Sequence, residues 1–220
     1  MGKEVVSQPR WRRDLDPRTR YNLQVNWMKI KFAIRPTWRV LDIGPMCFPF
    51  PFATHYLGVD PRDDPKDGKP FILADIQVRT PFDDNFFDYV YCSHVLEHLD
   101  HPVAAAQEIS RIGKRGYIEI PNGYSTLYLF YGAVHPKWFP WQEPDGTFVF
   151  SPWDPDVLRI FTDKAGLHAM DRIVNGDPIQ EKLTAREMVL RGFYYENMCF
   201  FYSYQLWIDQ IKIRQGKRMT

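Results

Sequence analysis

A rhythm in the first half of the chain constrains the fold most: short apolar runs recur, and several close on an aspartate. They fall at 38–43 (WRVLDI), 56–60 (YLGVD), 71–74 (FILA, followed by Asp75), 87–92 (FDYVYC) and 117–120 (YIEI). Runs this short and this apolar fit strands covered on both faces of a parallel sheet. The segments between them are compatible with helices. One helix is expected from Ser93 through Ile112, with an alanine-rich middle and Gly113 as its stop. Another is expected from Arg18 to Ile34, where Tyr21, Val25, Met28 and Phe32 recur at helical spacing and Pro36 ends the pattern. Strands alternating with helices define the α/β class.

The second half breaks this rhythm. Residues 123–153 are rich in aromatic side chains and proline and centre on an Asp145-Gly146 turn, which predicts a hairpin with a lid. Beyond it a helix is expected over 154–164 with Gly166 as its stop, then a strand near 168–174 and a final aromatic strand within 194–206. The 220 residues suit a single domain. It divides into an N-terminal arm and helix (1–35), a core (36–122), the aromatic insertion (123–153) and a C-terminal helix and strands (154–220).

Charge dictates no partner: 28 Lys and Arg against 27 Asp and Glu leave a net charge of +1, so nucleic acid is not expected. Cys47, Cys92 and Cys199 are widely spaced and show no metal-site pairing, which fits a reducing compartment. No apolar run approaches the roughly 18 residues of a membrane span, so a cytoplasmic protein is expected.

In an open parallel sheet, ligands bind beyond the C-terminal ends of the strands. Asp42 closes the first run, Asp60 the second, and Asp75 follows the third. A single aspartate at a strand end is ordinarily a cap or turn former. Three in register suit the hydroxyls of a ribose and the edge of a base.

The order VLDIG, GVD, ILADIQ, TPFDDNFFDYVYCSHVLEHLDHP and GYIEIPN, over residues 38–122, resembles class I S-adenosylmethionine (SAM)-dependent methyltransferases, close to the type 11 group. The resemblance implies a Rossmann-like α/β fold: a mostly parallel seven-stranded sheet, helices on both faces, and an aromatic lid or hairpin insertion after strand 5. It implies SAM as cofactor and S-adenosylhomocysteine (SAH) as product. Asp42, Ile43, Gly44 and Pro45 would line the methionine and ribose side. Asp60 and Pro61 would take the ribose, Asp75 and Ile76 the adenine, and Ser93 and His94 would stand beside the methyl. The family's loop reads D-x-G-x-G-x-G, whereas this chain keeps only Gly44 and places Met46 in the second glycine slot.

A narrower similarity, to methyltransferases of glycan-assembly gene clusters, rests on GPMCFPFPFA, SHVLEH, GYIEIP and the later His135-Pro136-Lys137-Trp138. It implies O-methylation of a sugar hydroxyl on a glycan or nucleotide sugar, such as a deoxyhexose. A general base then speeds the reaction by roughly 10²- to 10⁴-fold. His98 or His135 is the expected base, with Glu97 orienting the imidazole. His94, Glu97, His98 and His135 also compose an alternative divalent-metal set; the preferred reading has none. Asn122, Tyr124, Tyr128, Trp138 and Trp141 are the expected acceptor wall, and a dimer interface would account for the same aromatic residues. The alternatives are a methyltransferase for a small aromatic or quinone-like metabolite and a catalytically silent binding subunit.

Overall fold

The computed structural model describes residues 34–45, 49–121, 137–152 and 202–217. Met46, Asn122, Tyr124, Tyr128 and His135 lie outside the described residues, as do the helices expected before Ile34 and over 154–164 and the strand near 168–174.

All five expected strands of the first half form: β1 (Val40–Ile43), β2 (His55–Gly58), β3 (Phe71–Leu73), β4 (Tyr89–Ser93) and β5 (Arg115–Pro121). They pair in parallel, and β8 (Tyr202–Ile208) joins β5 antiparallel, giving a six-stranded sheet of order β3-β2-β1-β4-β5-β8. The order reverses between β1 and β4. In a sheet of this kind the connections diverge there and leave a crevice.

Strand periodicity gives the sheet two different faces. On one, Leu41, Ile43, Leu57, Val90, Cys92, Ile118 and Ile120 make an aliphatic layer. Against it packs α1 (Pro102–Ile112) through Ala105, Ala106, Ile109 and Ile112, which recur at helical spacing. The other face is aromatic, with Tyr56, Tyr89, Tyr91 and Tyr117 all buried. Tyr91 stacks on Phe50 at 4.3 Å and on Tyr117 at 5.6 Å, and Tyr117 stacks on Tyr204 at 5.8 Å.

The helix expected from Ser93 is shorter than the sequence suggested. His94 takes a positive φ of 56°, a single 3₁₀ turn covers Leu96–His98, and the α-helix begins only at Pro102. Proline is at home in the first turn of a helix, where its missing N–H is not needed, and His101 before it is held out of the helical region. Among the described residues α1 is the sole α-helix, so helices on both faces are not seen there. The crossovers at 44–54, 59–70 and 74–88 carry no described helix beyond a 3₁₀ turn at Pro61–Asp63.

The expected hairpin forms as β6 (Trp138–Gln142) and β7 (Phe148–Pro152), turning at Gly146 with φ 89°. It is part of a second, three-stranded sheet completed by β9 (Ile213–Gln215), a strand the sequence did not announce. Two bonds tie β6 to the 3₁₀ turn after β4: the Lys137 amide donates to the Glu97 carbonyl at 2.9 Å, and Trp138 Nε1 donates to the Leu99 carbonyl at 2.7 Å.

Candidate active site

Asp42 is the penultimate residue of β1, on the aromatic face, where only 1% of it is exposed, and it accepts the Phe50 amide at 2.7 Å. Burial raises its carboxyl, the Phe50 amide and Lys69 oppose the rise, and it reaches about 7. The bond to Phe50 folds the loop after β1 back on itself and seats the Phe50 ring on Tyr91. The missing glycines have a physical reason here. In nucleotide-binding loops of this sort the later glycines let a helix start close to the strand and to the ligand. This crossover covers the sheet with a phenylalanine, and no helix is described in it. Gly44 keeps the role that cannot be substituted: its φ is +67°, and a Cβ there would approach Val95 Cγ2 to 2.7 Å.

Asp60 caps the 3₁₀ turn at Pro61. It accepts the Arg62 amide at 2.8 Å and the Arg62 guanidinium at 2.8 and 2.6 Å, and these bonds hold its carboxyl down at about 2. Asp75 accepts the Gln77 amide at 2.8 Å and the Gln77 side chain at 3.0 Å. Ile76 is wholly buried in the aliphatic core, so its side chain serves packing and its backbone is what it can offer a base.

A cleft of about 530 Å³ opens beyond β2 and β3, lined by Val59, Leu73, Ala74, Asp75, Gln77, His98, Leu99, Asp100 and Lys137. Leu73 and Val59 are more than half exposed, an apolar surface suited to a planar base. Asp75 and Gln77 supply polar groups beside it. His98 also lines the cleft, its Nε2 3.5 Å from Glu97 Oε1.

His94, at the ends of β4 and β5, shares the Glu97 carboxylate with His98 of that cleft. Its Nδ1 is 3.5 Å from Glu97 Oε1 and its Nε2 3.3 Å from Glu119 Oε1. Glu119 also accepts Ser93 Oγ at 3.1 Å and the Tyr117 hydroxyl. Burial works against a charged His94 imidazole, but the Glu119 and Glu97 carboxylates outweigh it and raise the ring to about 10. The two carboxylates thereby favour the charged form of the His94 ring. Glu119 was missed by sequence reading. A lone carboxylate in the apolar run 117–120, directly across from Ser93 in the β4–β5 register, was the signal.

The expected acceptor wall does not hold as written. Trp138 and Trp141 are three positions apart on one strand, so they point to opposite faces of β6. Trp138 packs toward the main core with its indole N–H bound to Leu99, whereas Trp141 lies beside Phe139 at 6.2 Å. The metal set fares similarly: among the described residues no three His, Cys, Asp or Glu side chains are grouped to hold an ion, and His135 lies outside them. Among the described residues no helix is long and apolar enough to cross a membrane.

The sheet order, with its antiparallel edge strand and its ring of acidic strand ends, is the Rossmann-like fold of class I methyltransferases. Residues 53–118 match the family described as a methyltransferase domain. No curated protein matches the chain. Among solved structures it is similar to the YcgJ protein of Bacillus subtilis (19% identity, TM-score 0.38, 46% of this chain and 51% of that one). It is also similar to a SAM-dependent methyltransferase of Aquifex aeolicus (16%, 0.40, 48% and 67%). A third is the PH0226 protein of Pyrococcus horikoshii (14%, 0.46, 72% and 86%). The chain spans about half the length of the first structures it matches. One observation fits a bound SAM: the buried Glu97 Oε2 has no partner among the described residues.

Proposed function

We propose that the chain methylates a sugar hydroxyl of a glycan or nucleotide sugar, with SAM as donor and His98 taking the hydroxyl proton. The observation that carries this reading is the cleft beyond β2 and β3, whose lining includes His98, Asp75 and Gln77, with Glu97 Oε1 3.5 Å from the His98 imidazole. When bound there, SAM supplies the activated methyl group. Asp75 and Gln77 hold the nucleoside end, Asp60 the ribose, and Asp42 with Gly44 the methionine side. Ser93 and His94 flank the transfer position.

Glu97 is 1% exposed and lies between two imidazoles, so its charge orients His98 as a hydrogen-bond partner would. The Asp100 and Lys137 ion pair, 2.5 Å long, adds polar groups to the same cleft. Such a rim favours a hydroxyl-rich acceptor over a flat aromatic one. The resemblance of the loop after β1 to those of glycan-assembly methyltransferases points the same way.

Incubation with labelled SAM and a panel of glycans and nucleotide sugars is expected to label a sugar. Transfer to a phenol or quinone alone would overturn the acceptor. His98→Ala is expected to lower kcat by 10²-fold or more, on the order of a general base's contribution, while SAM affinity stays within a few-fold. Weakened SAM binding with kcat intact would assign His98 to the nucleoside instead. Loss of turnover in His135→Ala with His98→Ala active would move the base to His135.

A further inference from the structure

The clustered side chains at the ends of β4 and β5 do more than hold one another in place. Two carboxylates, Glu97 and Glu119, flank one imidazole, His94, within 3.5 Å and 3.3 Å. Glu119 is further fixed by Ser93 and Tyr117, and its backbone carbonyl accepts the His94 amide at 3.0 Å. These contacts hold His94 at a φ of 56°, a conformation that costs a non-glycine residue roughly 1 kcal/mol. The arrangement is therefore over-determined.

Its charge does not balance. The cluster sets two carboxylates, Glu97 and Glu119, against the single imidazole of His94, so the acidic groups outnumber the basic one. Glu97 and Glu119 are both largely removed from solvent, so water screens the remaining charge weakly.

We propose that Glu119 is a positioning residue that sets a net negative charge at the methyl end of the site, so that the pocket prefers the sulfonium of SAM to the neutral thioether of SAH. The inference rests on the methyltransferase reading above. It follows from position: β4 lies beside β1 in the sheet, and the loop at Gly44 abuts Val95, so residues 93–95 border the crevice where the order reverses. The two ligands share their adenosine and amino-acid parts and differ at sulfur by one methyl and one charge. A negative cluster near sulfur acts on that difference alone. It would also favour release of SAH after each transfer.

The test is calorimetric titration of the full chain with SAM and with SAH, separately. Glu119→Gln keeps the size of the side chain and removes the charge. The expected result is a roughly tenfold fall in the ratio of the SAH to the SAM dissociation constant, arising almost wholly from weaker SAM binding. A merely structural role would weaken both ligands together, and that outcome, or an unchanged ratio, would overturn the proposal. If Glu119→Gln does not fold, Glu97→Gln carries the same change of charge and the same expected fall. Wild-type chain that binds neither ligand would remove the cofactor reading itself, a result distinct from parallel shifts in the variants.

Discussion

Gly116→Ala is expected to destabilise the fold by about 4 kcal/mol or more, a large share of the stability of an ordinary domain. Gly116 sits on β5 beside β4 and below Trp207 of β8. A Cβ on it would fall 2.0 Å from the Val90 carbonyl oxygen and 3.0 Å from Trp207 Nε1. The first neighbour is backbone in the centre of the sheet, so it cannot step aside without breaking the β4–β5 ladder. The ends of those two strands carry Ser93, His94 and Glu119, and the fault would reach the site. Gly68→Ala is the control: its φ is +84°, but nothing lies within 4 Å, so only backbone strain of roughly 1 kcal/mol is expected. Urea unfolding of both variants measures the difference. Equal midpoints would mean that the central strands are not packed as described.

Asp42→Asn is expected to change how stability depends on pH. Burial raises the Asp42 carboxyl to about 7, against about 3.9 in an unfolded chain. Between about pH 4 and pH 7 the folded protein keeps a proton that the unfolded chain has released. Stability therefore falls as pH rises through that window, by roughly 2 to 4 kcal/mol, and the loss is complete above it. The asparagine variant lacks the titrating group. It should be more stable than wild type by about 2 kcal/mol at pH 8, with no such gain at pH 4.

His94, raised to about 10 from an ordinary 6.5, stabilises the fold fully below about pH 6.5 and loses that contribution as pH rises toward 10. That higher slope should survive in Asp42→Asn. Thermal unfolding across pH 4 to 10 separates the two groups. Parallel curves for the variant and wild type between about pH 4 and 7 would show that Asp42 titrates normally. A carboxylate retained in such a place at a cost to stability is characteristic of a binding or catalytic site.

The five parallel strands were legible because a strand buried on both faces leaves a continuous apolar run. β9, Ile213–Gln215, was not legible: one apolar, one charged and one polar residue carry no pattern, and only pairing with Phe148–Phe150 makes them a strand. SHVLEHLDHP reads as helical by composition, yet the left-handed His94 and the proline at 102 divide it into a bend, a 3₁₀ turn and a later helix. The acidic strand ends were legible by position, although Asp60 is engaged by Arg62 and Asp75 by Gln77, bonds that no spacing rule foretells. Glu119 was hidden for a different reason. Its importance lies in three partners drawn from two strands and a bend, a fact of register and not of local sequence.

Calorimetric titration of the wild-type chain with SAM is expected to give heat that saturates at one SAM per chain, with competition by SAH at the same site. No binding at about 1 mM SAM, an affinity weaker than roughly 4 kcal/mol, would contradict it and leave the fold without its cofactor.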